Sequence, residues 1–230
     1  MTRIMLAAAL LAATAPAQAA ERRFTVSGFE KVQVEGPFQI TLTTGKGSNA
    51  VATGSAQALD RVSVQVEGRT LRIRPNRSAW GSAPKPGEGG VSIALSTHEL
   101  TSVTVAGSGS LSVDKARGMR FDAALSGSGR IAIGSIDVDK LNLQLFGAGS
   151  IAASGKTKTL RAAITGQGTL DAAALSADDA DIAADTTGTI ALGVRRAVKI
   201  ASSGAGDVTI GGAPACTVTG AGAGRVRCGK

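Results

Sequence analysis

The chain has 230 residues and a formal net charge of +8; 31 residues are glycine, and only 3% are aromatic. This composition excludes a core built on bulky rings and favours many thin layers of small aliphatic side chains. The basic residues are scattered, so we expect no binding to nucleic acid. The positive charge either keeps the protein soluble or gives it affinity for anionic polymers of a cell envelope.

The N-terminus predicts export. Arg3 provides a cationic start, residues 4–15 form an apolar run, and Ala17-Gln18-Ala19 is a small-x-small cleavage site. The apolar run is shorter than the roughly 20 residues that a membrane-spanning helix needs. We therefore assign residues 1–19 to a signal peptide. The mature chain is expected in the periplasm, in the medium or on the surface of a bacterium, with no membrane-spanning segment after cleavage.

The mature chain divides into three stretches. Residues 20–76 alternate apolar and polar side chains as strands do, for instance in FTVSGFEKVQVEGPFQITLTTG. Residues 77–90 are rich in Pro, Gly and Ser and predict a mobile loop. Residues 91–230 contain a repeat. We expect residues 20–230 to form one continuous elongated domain.

The repeat consists of glycine pairs that recur every 18 to 20 residues. The pairs comprise Gly107, Gly109, Gly127, Gly129, Gly147, Gly149, Gly166, Gly168, Gly188, Gly204, Gly206, Gly222 and Gly224, with Thr186 in place of one glycine. This period is too short for a βαβ unit, which takes roughly 30 residues. It predicts an all-β fold, a single-stranded parallel β-helix-like solenoid with 18–20-residue coils, following an N-terminal β region.

Aliphatic residues lie at fixed distances from each pair, which predicts inward-facing rows on two strands. The row two residues after the second glycine of each pair consists of Leu111, Ile131, Ile151, Leu170, Ile190, Val208 and Val226. The row four residues before the first glycine consists of Val103, Ala123, Leu143, Ala162, Ile182, Ile200 and Val218. Each coil is thus expected to run strand, glycine corner, strand and return segment.

The glycine pairs could also cradle a phosphate. Such a loop feeds a helix whose N-terminus holds the anion, whereas each pair here is followed by strand-like alternation. A calcium-binding nonapeptide roll would need glycine and aspartate every nine residues. We therefore interpret these glycines as structural corners and expect no cofactor.

A further set of residues carries a resemblance to a known family. These are Val26, Phe29, Val32, Val34, Gly36, Phe38, Ile40, Leu42 and Gly45, then Val66-Glu67-Gly68 with Leu71-Arg72-Ile73, and Val91, Ile93 and Leu95 running into Gly107-Ser108-Gly109. At these positions the chain resembles the auto-transporter adhesin head domain, also called the GIN domain, which is a domain of unknown function in exported bacterial proteins. The resemblance implies an adhesin-like role on the cell surface. Because no barrel, anchoring helix or sorting segment follows Lys230, we expect a periplasmic or freely secreted domain.

Chemically reactive residues are few. His98 is the only histidine, so a histidine-rich metal site is impossible, and we expect His98 to be a surface residue. Carboxylates at Asp178, Asp179, Asp181 and Asp185 could hold a hard cation such as Ca²⁺. A solvated edge is the preferred interpretation, because two of them occupy outward strand positions and two lie in a return segment. We expect no metal site.

An enzyme is the alternative hypothesis, because many β-helices cleave polysaccharides as lyases or hydrolases. One outward row, five residues before each corner, contains Asp122, Arg161 and Asp181. Alternating charge also simply solubilises an outer face, and the scarcity of aromatic side chains weighs against sugar processing. We expect a non-enzymatic, adhesin-like or structural envelope protein without catalytic residues. Its partner would be an envelope protein or an anionic polysaccharide.

The two cysteines, Cys216 and Cys228, fall on two further predicted inward rows, six residues before the first glycine of a pair and four after the second, on either side of the last corner. Export favours a disulfide, which would close the C-terminal end of the solenoid. A redox-active pair or two buried free thiols are the alternatives. Cα atoms more than about 7 Å apart would exclude the bond.

Overall fold

The computed structural model describes residues 20–76 and 90–229. The predicted signal peptide and nearly all of the predicted loop lie outside the described residues. The strands are β1 (Ala20–Phe24), β2 (Lys31–Glu35), β3 (Gln39–Thr44), β4 (Asn49–Gly54), β5 (Val62–Glu67), β6 (Thr70–Pro75), β7 (Ser92–Thr97), β8 (Ser102–Gly107), β9 (Ser110–Val113), β10 (Ala116–Gly127), β11 (Arg130–Gly147), β12 (Ser150–Gly166), β13 (Thr169–Thr186), β14 (Ile190–Ser202), β15 (Val208–Gly211), β16 (Ala215–Thr219) and β17 (Val226–Cys228). One short helix, α1 (Ala56–Asp60), follows β4.

Strands β8 to β17 stack in parallel as the repeat predicts. Gly127 pairs with Gly107 on one side and Gly147 on the other, and Ile131 pairs in the same way with Leu111 and Ile151. Residues one repeat apart therefore lie directly above one another. The stack winds through about six turns, which confirms the predicted β-solenoid.

The return segment is itself a strand. Strand β11 continues past a register shift between Ile133 and Ile136, and Ile136 then pairs with Gly155 of β12. Each coil consequently has three faces, which we name from β11: face B is residues 130–133, face C is residues 136–139 and face A is residues 140–147. The sequence pattern did not predict face C as a strand, because the shift breaks the alternation that marks the other two faces.

The interior is a continuous aliphatic column. Ile131, Leu170 and Ile190 are at most 1% exposed, and the other members of the two predicted inward rows are also buried up to the last coil. Val218 is 49% exposed, although it pairs in register with the buried Ile200 and so lies on the predicted inward side of β16. It belongs to the last described coil, where no further described strand packs over it. One further inward row on face A was not predicted; its members are Val105, Leu125, Leu145, Ile164 and Ala184.

The N-terminal strands are part of the same sheet. Strand β2 lies between β6 and β8, and β3 lies between β7 and β9, all in parallel. Antiparallel pairs follow at the N-terminal end, where β4 pairs with both β1 and β7, and β5 pairs with β6. Helix α1 begins at the N-cap Ser55, whose side chain accepts a hydrogen bond from the Ala58 N–H, and it buries Leu59. Within the described ranges no helix is long and apolar enough to cross a membrane.

Candidate functional site

The glycine corners pass too close to one another for side chains. Gly127 has φ +116°, and a Cβ atom added to it would lie 2.5 Å from the carbonyl oxygen of Gly107. Gly109 lacks a positive φ, yet its Cβ would lie 2.5 Å from the carbonyl oxygen of Gly36. Strands β9 and β11 follow these two corners directly. Backbone conformation and close approach thus account for the glycines at these corners without a bound phosphate.

The outward row on face A is continuous from coil to coil. Asp122 pairs in register with Asn142, Asn142 with Arg161, and Arg161 with Asp181. The Asp122 carboxylate accepts a hydrogen bond from Asn142 Nδ2 at 2.5 Å and from Arg120 Nε at 2.9 Å. The row that the sequence predicted is therefore present, and its first carboxylate is already engaged by two donors.

A groove of about 560 Å³ lies along this row. We call it the face A groove; its lining includes Arg120, Lys140, Asn142, Gln144, Thr159, Arg161, Ala163, Asp181 and Ala183. Its charged side chains are three cations and one carboxylate. The outward side chains of Ala163 on β12 and Ala183 on β13 are shorter than that of Gln144 on β11, so the groove is deeper beside the two alanines. The groove therefore carries net positive charge and is open along the sheet.

Two of the groove cations lack acidic partners. Arg120 forms an ion pair with Asp122 at 2.9 Å. Lys140 and Arg161 form no ion pair with any residue in the described part of the chain. Both side chains are exposed. They leave positive charge available to an anionic ligand.

The carboxylates of the row do not form a glycosidase pair. Asp122 and Asp181 are three strands apart in the ladder, which corresponds to about 14 Å at the usual strand spacing. Glycosidases place their two carboxyl groups about 5 to 9.5 Å apart. Asp122 and Asp181 are therefore too far apart to act as the carboxylate pair of a hydrolase.

The acidic cluster is divided between two faces. Asp178 and Asp179 form ion pairs with Arg195 and Arg196 of the next coil, whereas Asp181 lies on face A. Residues 20–76 and 90–229 contain no group of three His, Cys, Asp or Glu side chains that could hold a metal ion. His98 is exposed.

Face C carries a ladder of ion pairs that the sequence analysis missed. Lys156 Nζ lies 3.5 Å from Asp137, and Lys158 Nζ lies 2.8 Å from Asp139. Its hydrogen bond to Asp139 raises the pKa of Lys158, and Asp178 raises it further. We name the pairs Asp137–Lys156, Asp139–Lys158 and Asp178–Arg195 the face C ladder. The pair Asp179–Arg196 lies beside it, at the start of face A, where Asp179 is in register with Thr159 and Lys140. Opposite charges one coil length apart are the sequence signal that indicates such a ladder.

Cys216 and Cys228 form a disulfide bond, with their Cα atoms 6.5 Å apart. The bond joins β16 to β17 across the last corner. Both cysteines pack against the core cluster and are partly buried. The pairing expected from the sequence is present in the structure.

Several solved structures share the fold. A putative adhesin from Bacteroides fragilis superposes with a TM-score of 0.84 at 20% identity, covering 91% of this chain and 96% of that one. A putative lipid binding protein from Parabacteroides distasonis gives a TM-score of 0.70 at 20% identity, with coverages of 92% and 97%. A putative adhesin from Parabacteroides merdae gives 0.68 at 14% identity, with coverages of 91% and 95%.

No curated protein matches the chain in sequence. A family model does: the family described as "Putative auto-transporter adhesin, head GIN domain" matches residues 28–214. That match spans β2 to β15 in full, and so includes the N-terminal strands from β2 onward, the face A groove and the face C ladder. The chain therefore belongs to the GIN domain family of auto-transporter adhesin heads.

Proposed function

We propose that the protein is an exported, non-enzymatic, adhesin-like solenoid that binds an anionic polysaccharide of the bacterial envelope through the face A groove. The observation that carries the proposal is the contrast between two faces. Three cations of face C, Lys156, Lys158 and Arg195, are paired in its ladder, whereas Lys140 and Arg161 in the groove have no acidic partner among the described residues. An anionic ligand would neutralise these two side chains.

The shape of the site supports a polymer rather than a small metabolite. The groove is open and crosses several coils, from Arg120 on β10 to Asp181 on β13. Small-molecule sites are usually enclosed and mostly apolar. A repeat scaffold presents an extended surface on which a chain-like ligand can make contacts in several successive coils.

The location follows from two features. Residues 1–19 have the pattern of a signal peptide, and disulfides such as Cys216–Cys228 persist in oxidising compartments outside the cytoplasm. We place the mature protein in the periplasm or at the cell surface. The family name and the adhesins of similar fold agree with this placement.

The test is binding of the purified protein to polygalacturonate, a carboxylated polysaccharide, at near-physiological salt. Reversing both free charges (Lys140→Glu with Arg161→Glu) should weaken binding by at least about tenfold, because two attractive contacts become repulsive. The matched control is Lys46→Glu with Lys115→Glu, which changes net charge equally in two turns outside the groove. Equal loss in both variants would show that only net charge matters and would contradict the proposal.

The same preparation tests the enzymatic alternative. Products of polygalacturonate cleavage are measured with and without Ca²⁺, in wild type and in Asp122→Ala and Asp181→Ala variants. We expect no cleavage. Cleavage that depends on the divalent ion and is lost in either variant would overturn the non-enzymatic assignment.

A further inference from the structure

We infer that the face A groove is specific for a polymer of sugar rings that bear carboxylates, with Phe146 stacking on one ring while Lys140 and Arg161 hold the carboxylate of another unit further along the polymer. The inference rests on the proposed function and adds the identity of the recognised unit. It depends on one observation that the proposed function did not use, the exposure of an aromatic side chain beside the groove.

Phe146 is 47% exposed, although its side chain is wholly apolar. It points outward on β11 and pairs in register with Ser126 and Thr165, whose side chains are short. These neighbours leave the ring uncovered. The remaining phenylalanines, Phe24, Phe29, Phe38 and Phe121, are buried or packed against the core.

Phe146 lies directly beside the groove. Gln144, which lines the groove, is two residues before Phe146 on the same outward side of β11, a distance of about 7 Å between Cα atoms. Thr165, the register partner of Phe146, has the same relation to the groove residue Ala163. Because the side chain of Ala163 is short, a ligand in the groove can extend toward the phenyl ring of Phe146.

The two cations, Lys140 on β11 and Arg161 on β12, lie near the start of face A, whereas Phe146 lies near its end. Lys140 is on β11, and Arg161 is one strand over and two positions further along, so their Cα atoms are about 8 Å apart. Their long side chains can converge on one carboxylate, and a guanidinium can bind it through two parallel hydrogen bonds. Asn142 and Gln144 lie between the cations and the ring, where amides can bind hydroxyl groups.

A uronic acid polymer has the matching chemistry. The C–H face of a pyranose ring is apolar and slightly positive, and it suits the negative face of an aromatic ring. Hydroxyl groups surround that ring, and each unit carries a carboxylate. A polyanion without sugar rings could satisfy Lys140 and Arg161 but would leave Phe146 without a partner.

The experiment compares two probes, oligogalacturonate and poly-L-glutamate of matched charge. Phe146→Ala should weaken oligogalacturonate binding by about three- to tenfold, the range that an aromatic contact supplies, and should leave poly-L-glutamate binding unchanged. Phe146→Trp should retain oligogalacturonate binding. The matched control is Val218→Ala, which truncates another exposed apolar side chain in the last coil. Melting temperatures establish that each variant is folded.

The outcomes separate the two proposals. If charge reversal in the groove abolishes binding but Phe146→Ala does not, the ring contact is wrong while the proposed function stands. If neither polyanion binds, the proposed function fails and this inference fails with it. Binding to phosphatidylglycerol vesicles that depends on Phe146, without binding to oligogalacturonate, would assign the groove to lipid and overturn the inference.

Discussion

Individual glycines set the distance between successive coils. At Gly127 the backbone has φ +116°, and a Cβ would approach the Gly107 carbonyl oxygen to 2.5 Å. Gly147 repeats the arrangement one coil further, with φ +114° and 2.6 Å to the Gly127 carbonyl oxygen. The obstructing atom is backbone in both cases, so it cannot rotate away as a side chain could. A methyl group at either corner must separate two coils.

Gly127→Ala should therefore lower the free energy of unfolding by about 2 to 3 kcal/mol, from backbone strain together with the clash. Urea denaturation followed by circular dichroism measures the change. Gly28→Ala is the matched control, because a Cβ there meets no atom within 4 Å and no positive φ is involved. A Gly127→Ala variant as stable as the control would disprove the role assigned to the corner.

On face C, strand register and charge specify the same alignment. Each coil places one sign of charge opposite the other sign in the next coil, as in Asp137–Lys156 and Asp178–Arg195. Slipping the register by one residue would turn outward side chains inward and would also separate these pairs. Exposed ion pairs contribute little energy each, so the ladder acts mainly by disfavouring wrong alignments.

The pH dependence of stability reports on such pairs. Hydrogen bonds from Arg196 and Arg225 hold the pKa values of Asp179 and Asp207 below the ordinary value of 3.8. A carboxyl group whose pKa is lower in the folded state stabilises the protein above its unfolded pKa, and that contribution is lost as pH falls through the folded pKa. The contribution should therefore be present at pH 7 and disappear in acid.

Asp179→Asn with Asp207→Asn should lower the melting temperature at pH 7, and the difference from wild type should shrink as the pH falls below 3.8. Thermal melts across the pH range measure both effects. The control is Asp171→Asn with Asp185→Asn, two exposed carboxylates without ion pairs to described residues. A difference from wild type that stayed constant down to acid would rule out the two ion pairs as its source.

The two ends of the described molecule differ. At the N-terminal end, antiparallel strands and helix α1 cover the stack. At the C-terminal end, the last described coil leaves Val218 exposed and has the Cys216–Cys228 disulfide as its covalent closure. An uncovered coil loses packing on one side, so it should open more readily than interior coils.

Replacing both cysteines with serine should destabilise this coil by up to about 3 kcal/mol, the chain-entropy value for a loop of this size. Hydrogen exchange should show faster exchange in β16 and β17 than in β11 and β12. Reduction of the wild type should reproduce the effect, and the double serine variant should not respond to the reductant. Unchanged exchange in β16 after reduction would show that the bond does not hold the coil closed.

Much of the fold could be predicted because the repeat constrains it locally. Glycine spacing indicates the coil length, and aliphatic alternation around residues such as Ile131 and Ile182 indicates which side chains point inward. Face C was missed because its register shift conceals the alternation. The exposure of Val218 could not be predicted, because its position in the repeat says nothing about whether a further coil covers it.

The sequence by itself determined the coil period, the outward row through Asp122, Arg161 and Asp181, and the positions of Cys216 and Cys228 on either side of the last corner, since all three depend on counting residues along one repeat. Only the tertiary structure decided which outward charges are neutralised and which are free. Lys156 and Lys140 look alike along the chain, yet stacking places Asp137 beside Lys156, and Lys140 has no acidic partner among the described residues. The exposure of Phe146 beside the groove likewise depends on the short side chains that neighbouring coils place next to it.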